Sequence, residues 1–150
     1  MIILLKVIKK HYLRKFIREI DEDFKLSFGD VFEVDIPEEE IFATFNKDEK
    51  IDKMFLKFLK KEFNIEMDMF LISLLHEVGH IMTYDDDMND DRSVVYSLLK
   101  VQFDEGKANI EEYNDMYFHI PAEFEATAWG VQYYLENKEK CDKLVRILNK

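Results

Sequence analysis

Two histidines and a glutamate near the middle of the chain have the spacing of a metal-binding motif. His76, Glu77 and His80 form the pattern His-Glu-x-x-His. On an α-helix, residues four apart share a face, so both imidazoles can reach one ion. Glu77 lies slightly around the helix, where its carboxylate can hold a water molecule beside the metal. The pattern therefore predicts a divalent metal site, with zinc as the expected ion, that activates water for hydrolysis.

The residues around the motif predict a buried helix with one polar stripe, from about Met67 to Tyr84. Most of the segment is apolar, and Ser73 and Thr83 recur with the motif residues at steps of three and four. Buried polar groups need partners, which a metal ion and its water would supply. Gly79 is unfavourable inside a helix, which predicts that something packs closely against it. The alternative is that both histidines are core residues bonded to other side chains.

A zinc site needs a third protein ligand, and the candidates are His11, His119 and a carboxylate. The residues favour Glu123. Pro121 is typical of the first position of a helix, so Glu123 would lie in the first turn. Small residues follow on the same face: Ala126, Thr127 and Gly130. They would let this helix pack closely on the motif helix and bring the carboxylate to the ion. The alternative is an ordinary first-turn glutamate stabilised by the helix dipole.

Together the two segments resemble the glutamate-type zincins. The pattern Glu-x-Glu-Ala-x-x-Trp-Gly at residues 123–130 is similar to the second motif of the ImmA/IrrE group, and more loosely to that of the membrane-bound HtpX/Ste24 group. The ImmA/IrrE group consists of small cytoplasmic metallopeptidases common in phages and mobile elements. The resemblance covers residues 69–84 and 121–134. It implies His76, His80 and Glu123 as zinc ligands and Glu77 as catalytic base. It also places Thr127 where many zincins carry an acidic or amide residue that orients a ligating histidine.

The expected function is that of a zinc-dependent metalloendopeptidase, which hydrolyses peptide bonds and cuts a regulatory protein with narrow specificity. Glu77 would take a proton from the zinc-activated water and deliver it to the leaving amine. His119 is our first candidate for a donor to the oxyanion, ahead of Tyr117 and Tyr113. The alternative is a non-catalytic zinc-binding regulatory or host-takeover protein that captures a protein partner. Thr127, which adds no charge behind the histidine, leaves room for this alternative.

Composition limits the binding partners and the cellular compartment that we expect. The net charge of −11 disfavours nucleic acid, and we expect a protein or peptide substrate. One cysteine, Cys141, excludes an intramolecular disulfide and a thiolate metal cluster, and fits a reducing cytoplasm. Residues 1–20 carry six basic side chains against one acid, Glu19. We expect them to form a helix that docks on the domain, the alternative being a membrane or other acidic surface.

The predicted fold is a single zincin-like domain over residues 1–150, of the α+β class. It is mostly helical, with a small β-sheet in the N-terminal half and the motif on an active-site helix. Strands are expected at residues 25–35 and 41–45. The other expected helices span residues 5–20, 47–63, 92–103, 122–136 and 138–148. Residues 85–91 are predicted to be a solvated acidic loop, residues 104–109 a second loop, and residues 94–96 allow a strand as an alternative.

Overall fold

The computed structural model describes residues 2–20 and 49–149, with the backbone alone for residues 2–7, 10 and 49. Seven helices lie within these ranges. They are α1 (Ile2–Ile20), α2 (Glu49–Phe63), α3 (Met69–Met82), α4 (Asp86–Asp104), α5 (Ile110–Phe118), α6 (Pro121–Glu136) and α7 (Lys138–Leu148). Contacts divide the chain into two units. One contains α1, α7 and the end of α6, and the other contains α2 to α5 with α6 as far as Tyr133.

The predicted α+β class with a small β-sheet is wrong, since the described residues are helical and contain no strand. The candidate strands at residues 25–35 and 41–45 lie outside the described residues. The acidic segment 85–91, predicted to be a loop, instead begins α4. The Asp85 carboxylate accepts a backbone N–H of the first turn at 2.9 Å. Asp86 and Asp87 then suit the positive end of the helix dipole. Residues 94–96 lie inside this helix, so the alternative of a strand at these residues is also wrong.

The remaining helix predictions are confirmed with small changes at the ends. The motif helix begins at Met69, because the Asp68 side chain caps it by accepting the Leu71 N–H at 3.0 Å. The predicted loop after residue 104 contains Gly106, whose φ of 74° is one that glycine adopts readily. Residues 110–118, which the pattern left undecided, form α5 behind an Asn109 cap.

Helix α3 lies at the centre of the larger unit, and its predicted burial is confirmed. Five of its apolar side chains are at most 1% exposed: Leu71, Ile72, Leu74, Leu75 and Val78. Two glycines set its distance from α6. A Cβ on Gly79 would lie 2.9 Å from the Cα of Ala126, and one on Gly130 would lie 3.0 Å from the Cβ of Leu75. Both are closer than ordinary carbon contacts, so the two helices meet only because these side chains are absent.

In the other unit, the predicted docking of the N-terminal helix takes the form of contact between α1 and α7. Leu13, Phe16 and Ile17 on α1 are at most 4% exposed. The Glu19 carboxylate accepts a hydrogen bond from Lys140 on α7 at 2.6 Å. None of the described helices combines the length and apolar character needed to cross a membrane.

Candidate metal centre

The three predicted ligands converge in the structure. The distances are 2.8 Å from His76 Nε2 to Glu123 Oε2, 3.0 Å from His80 Nε2 to the same oxygen, and 3.1 Å between the two Nε2 atoms. Ligand atoms around a tetrahedral zinc ion with bonds of about 2.0–2.1 Å lie roughly 3.3 Å apart. The observed triangle is close to that size, and His76, His80 and Glu123 could hold a metal ion.

Two helices position these atoms. His76 and His80 are one turn apart on α3, so their rings share a face, with centroids 4.6 Å apart. Glu123 lies in the first turn of α6 and its side chain is 1% exposed. The His76 and His80 side chains are 15% and 29% exposed. The carboxylate therefore closes the buried side of the cluster, while the histidines leave a side that water or a substrate can approach.

Thr127 determines which nitrogen of His76 carries the proton. Its hydroxyl donates to the backbone carbonyl of Glu123 at 3.1 Å, which uses its one proton. The hydroxyl oxygen lies 2.9 Å from His76 Nδ1 and must therefore accept from the N–H there. Nε2 of the neutral ring is then a bare lone pair that faces the Glu123 carboxylate. The His76 lone pair and the carboxylate repel each other unless a proton or a cation lies beside them, so the donor set fits a metal ion.

Arg92 and Tyr117 hold the second oxygen of Glu123, a contact that the sequence analysis missed. Arg92 Nε donates to Glu123 Oε1 at 2.5 Å, and the Tyr117 hydroxyl donates to the same atom at 3.0 Å. Arg92 Nη2 also donates to the Tyr117 oxygen at 3.3 Å. Because Oε1 is occupied, Glu123 presents Oε2 alone to the histidines. One signal was available, since Arg92 is the only lysine or arginine between Lys61 and Lys100.

The pKa shifts of Glu123, Arg92 and Tyr117 indicate which of these three groups are charged at neutral pH. Burial alone would raise the pKa of Glu123, but its short contacts with the His76 and His80 rings outweigh burial and hold that pKa far below its usual range. Burial would lower the pKa of Arg92, yet its bonds to Glu123 and Tyr117 raise it. Burial, and then the charge of Glu123, raise the pKa of Tyr117. At neutral pH the carboxylate is therefore anionic, the guanidinium is cationic and the phenol is a hydrogen-bond donor.

Glu77, the predicted catalytic base, is half-buried on α3 next to His80. Burial lowers the pKa of His80, but the contact with Glu123 raises it. The negative charge of Glu77 adds a smaller increase, and the pKa is raised overall. Among the described residues, no hydrogen bond or ion pair engages the Glu77 carboxylate. It is therefore available to a water molecule or a substrate.

The other two histidines are placed differently. His119 lies at the C-terminal end of α5, with Nδ1 donating to the Asp115 carbonyl at 2.7 Å and Nε2 lying 3.1 Å from Glu62. The structure thus brings Tyr117, the second candidate donor, beside Glu123, and holds His119 by other partners. His11, one of the candidates for the third ligand, is exposed on α1.

No protein-family model, curated protein or solved structure matches this chain.

Proposed function

We propose that this protein is a zinc-dependent metallopeptidase that cuts a protein or peptide of narrow specificity. The observation that carries the proposal is the convergence of His76 Nε2, His80 Nε2 and Glu123 Oε2 to within 2.8–3.1 Å of one another. The glutamate that directly follows the first histidine adds a carboxylate without a partner among the described residues. Resemblance of residues 69–84 and 121–134 to the ImmA/IrrE group supports the same conclusion.

The donor set favours zinc with one position left open. Two imidazole nitrogens and one carboxylate oxygen form a common catalytic zinc set. Because Arg92 and Tyr117 occupy Oε1, Glu123 offers one oxygen, which leaves a place for water or a substrate. When bound, zinc lowers the pKa of water and polarises a carbonyl group.

The protein's own groups then divide the remaining work. Glu77 accepts the proton of the attacking water and passes it to the leaving amine. Thr127 holds His76 in the tautomer that presents Nε2. Arg92 keeps Glu123 in place and compensates its charge. We leave His119 out of this mechanism, because both of its ring nitrogens are engaged by Asp115 and Glu62.

The test combines metal content with cleavage of a proteome-derived peptide library, read by mass spectrometry. We expect one zinc ion per chain and zinc-dependent cleavage. Glu77→Gln should retain zinc and lose cleavage by roughly 100-fold or more, because it removes the base and leaves the ligands. Glu125→Gln is the matched control, since Glu125 lies exposed on α6. Cleavage that survives in Glu77→Gln at the wild-type rate would contradict the proposal.

A non-catalytic, zinc-stabilised protein that captures a partner is the second candidate. One observation favours it: a neutral threonine, instead of a carboxylate, accepts the Nδ1 proton of His76. A carboxylate there would raise the basicity of the ring. This candidate predicts zinc binding that protects the fold, with library cleavage absent from the wild type and from Glu77→Gln alike.

A further inference from the structure

The outer face of α4 is apolar in its middle. Val94, Leu98 and Val101 lie at positions i, i+4 and i+7, so their side chains form one row. They are 61%, 60% and 51% exposed. The opposite face of the helix carries Arg92, which reaches Glu123, and Leu99, which is 8% exposed. Helix α4 therefore packs against the domain through the face that carries Arg92 and Leu99. Its opposite face exposes an apolar row, which we call the α4 stripe (Val94, Leu98 and Val101).

Folding gains little from the α4 stripe. Valine is a poorer helix former than most residues because its β-branch restricts χ1, so an exposed valine costs helix stability without adding burial. Single exposed apolar residues are ordinary on a protein surface. A continuous row along one helix face, flanked by charged residues, is instead typical of a surface that binds another protein.

Acidic residues continue the same helix face beyond both ends of the α4 stripe. Asp87 and Asp91 precede it, in the first and second turns of α4, and Glu105 follows at the C-terminal cap. The aspartates suit the positive end of the helix dipole, but Glu105 stands at the negative end, where the dipole opposes it. Its exposed ion pair with Lys107, at 2.8 Å, contributes little stability.

We propose that the α4 stripe binds an amphipathic helix of a partner protein, one with apolar residues along one face and basic residues at both ends. Apolar contact in the middle would give affinity, and basic ends would match the acids at both ends of the stripe. A second copy of this chain fits less well. Pairing α4 with itself, in either direction, would bring acidic ends together and cost energy by repulsion. The surface lies opposite the metal centre on α4, so this binding goes beyond the proposed hydrolysis.

The probe is a synthetic helical peptide of about 20 residues with leucines along one face and two lysines at each end. Fluorescence anisotropy measures its binding to the full chain, with zinc and with a chelator. We expect binding in both conditions, weakened by salt, and absent for a matched peptide whose lysines are replaced by glutamates. Leu98→Ser should weaken binding roughly tenfold or more, because a leucine loses its burial. Ser93→Ala, on the side of the same helix, is the control. Asp91→Asn with Glu105→Gln should weaken binding and reduce its salt dependence.

Three results would overturn the proposal. The first is a lysine peptide that does not bind at about 100 μM, where even weak helix docking is detected. The second is binding that Leu98→Ser leaves unchanged, or that the glutamate peptide reproduces. The third is a wild-type dimer in analytical ultracentrifugation that Leu98→Ser dissolves, which would make a second copy the occupant. Circular dichroism of Leu98→Ser, whose side chain is exposed in the wild type, checks that loss of binding is not loss of fold.

Discussion

Gly79→Ala tests directly whether close packing of α3 on α6 builds the metal centre. The added Cβ would lie 2.9 Å from both the Cα and the carbonyl carbon of Ala126, and nearer still to the carbonyl oxygen. These atoms belong to the backbone of α6 and cannot rotate away. Ordinary contact between carbon atoms needs about 3.5–4.0 Å, so the two helices must separate by roughly 1 Å.

Two effects of opposite sign set the size of the change. Alanine is a better helix former than glycine by about 1 kcal/mol, which stabilises the variant. Overpacking against a rigid neighbour costs about 1–3 kcal/mol and occasionally more, and here the neighbour is backbone. We expect a net loss of roughly 2 kcal/mol, which for a chain of this size lowers the Tm by about 4–8 °C. Glu123, one turn before Ala126, would move with α6, and a shift near 1 Å exceeds the roughly 0.2 Å tolerance of zinc–ligand distances.

Thermal unfolding and zinc titration measure the two consequences separately. Gly130→Ala is the comparison variant, since its Cβ would lie 3.0 Å from the Cβ of Leu75, 3.3 Å from the Leu75 carbonyl carbon and 3.3 Å from the Ile72 side chain. These contacts are less severe than those at Gly79, so we expect Gly130→Ala to destabilise the protein less than Gly79→Ala does. A Gly79→Ala protein with wild-type Tm and zinc affinity would refute the claim that this contact positions Glu123.

Four further outcomes follow from the contacts around the site and elsewhere. Thr127→Val should lower zinc affinity by about 10–100-fold in a metal titration, because the ligating histidine loses its acceptor. Arg92→Met should lower the free energy of unfolding more without zinc than with it. In this variant a bound zinc ion would still compensate the charge of the buried Glu123 carboxylate, whereas without zinc that charge has lost its arginine. The pKa of His119 is raised, chiefly because the ring donates to a backbone carbonyl, with burial opposing and a glutamate partner helping. Its stabilisation is therefore present below about pH 6.5 and lost as pH rises through the raised pKa, so His119→Gln should destabilise at about pH 5.5 and much less at pH 9. Burial raises the pKa of the Cys141 thiol to about 11, so it should react with a disulfide reagent only after unfolding.

Controls separate these expectations from general loss of folding. Thr127→Ser keeps the hydroxyl and should keep zinc affinity, and equal affinity in Thr127→Val would contradict the assigned tautomer. Arg92→Met should unfold in one transition, and a zinc-independent loss of stability would show that Arg92 supports the fold and not the carboxylate. A pH-independent effect of His119→Gln would contradict the role of its charge. Rapid labelling of native Cys141 would contradict its burial.

Local patterns in the sequence were sufficient for part of the site. His76 and His80 are one helical turn apart, so the helix period alone predicts that they share a face. Pro121 and the small residues after Glu123 predicted a second helix able to pack closely, and Gly79 predicted where; both predictions are confirmed. These inferences succeeded because each depends on the geometry of a single helix. The prediction of a loop at residues 85–91 was wrong. A run of acidic residues is exposed to solvent both in a loop and in the capped first turn of a helix, so its composition does not distinguish the two.

Only the tertiary structure decided how the carboxylate is held. Arg92 and Tyr117 are 31 and 6 residues from Glu123 in the chain, and nothing in their local sequence predicts that both donate to its second oxygen. For Thr127, the resemblance indicated a position behind a ligating histidine, but only the structure shows that its hydroxyl contacts His76, 51 residues away. The sequence by itself determined the ligand types and their helical spacing. The packing of α3, α4, α5 and α6 determined which oxygen faces the histidines and which nitrogen carries the proton, because hydrogen bonds depend on distances between helices that no local pattern contains.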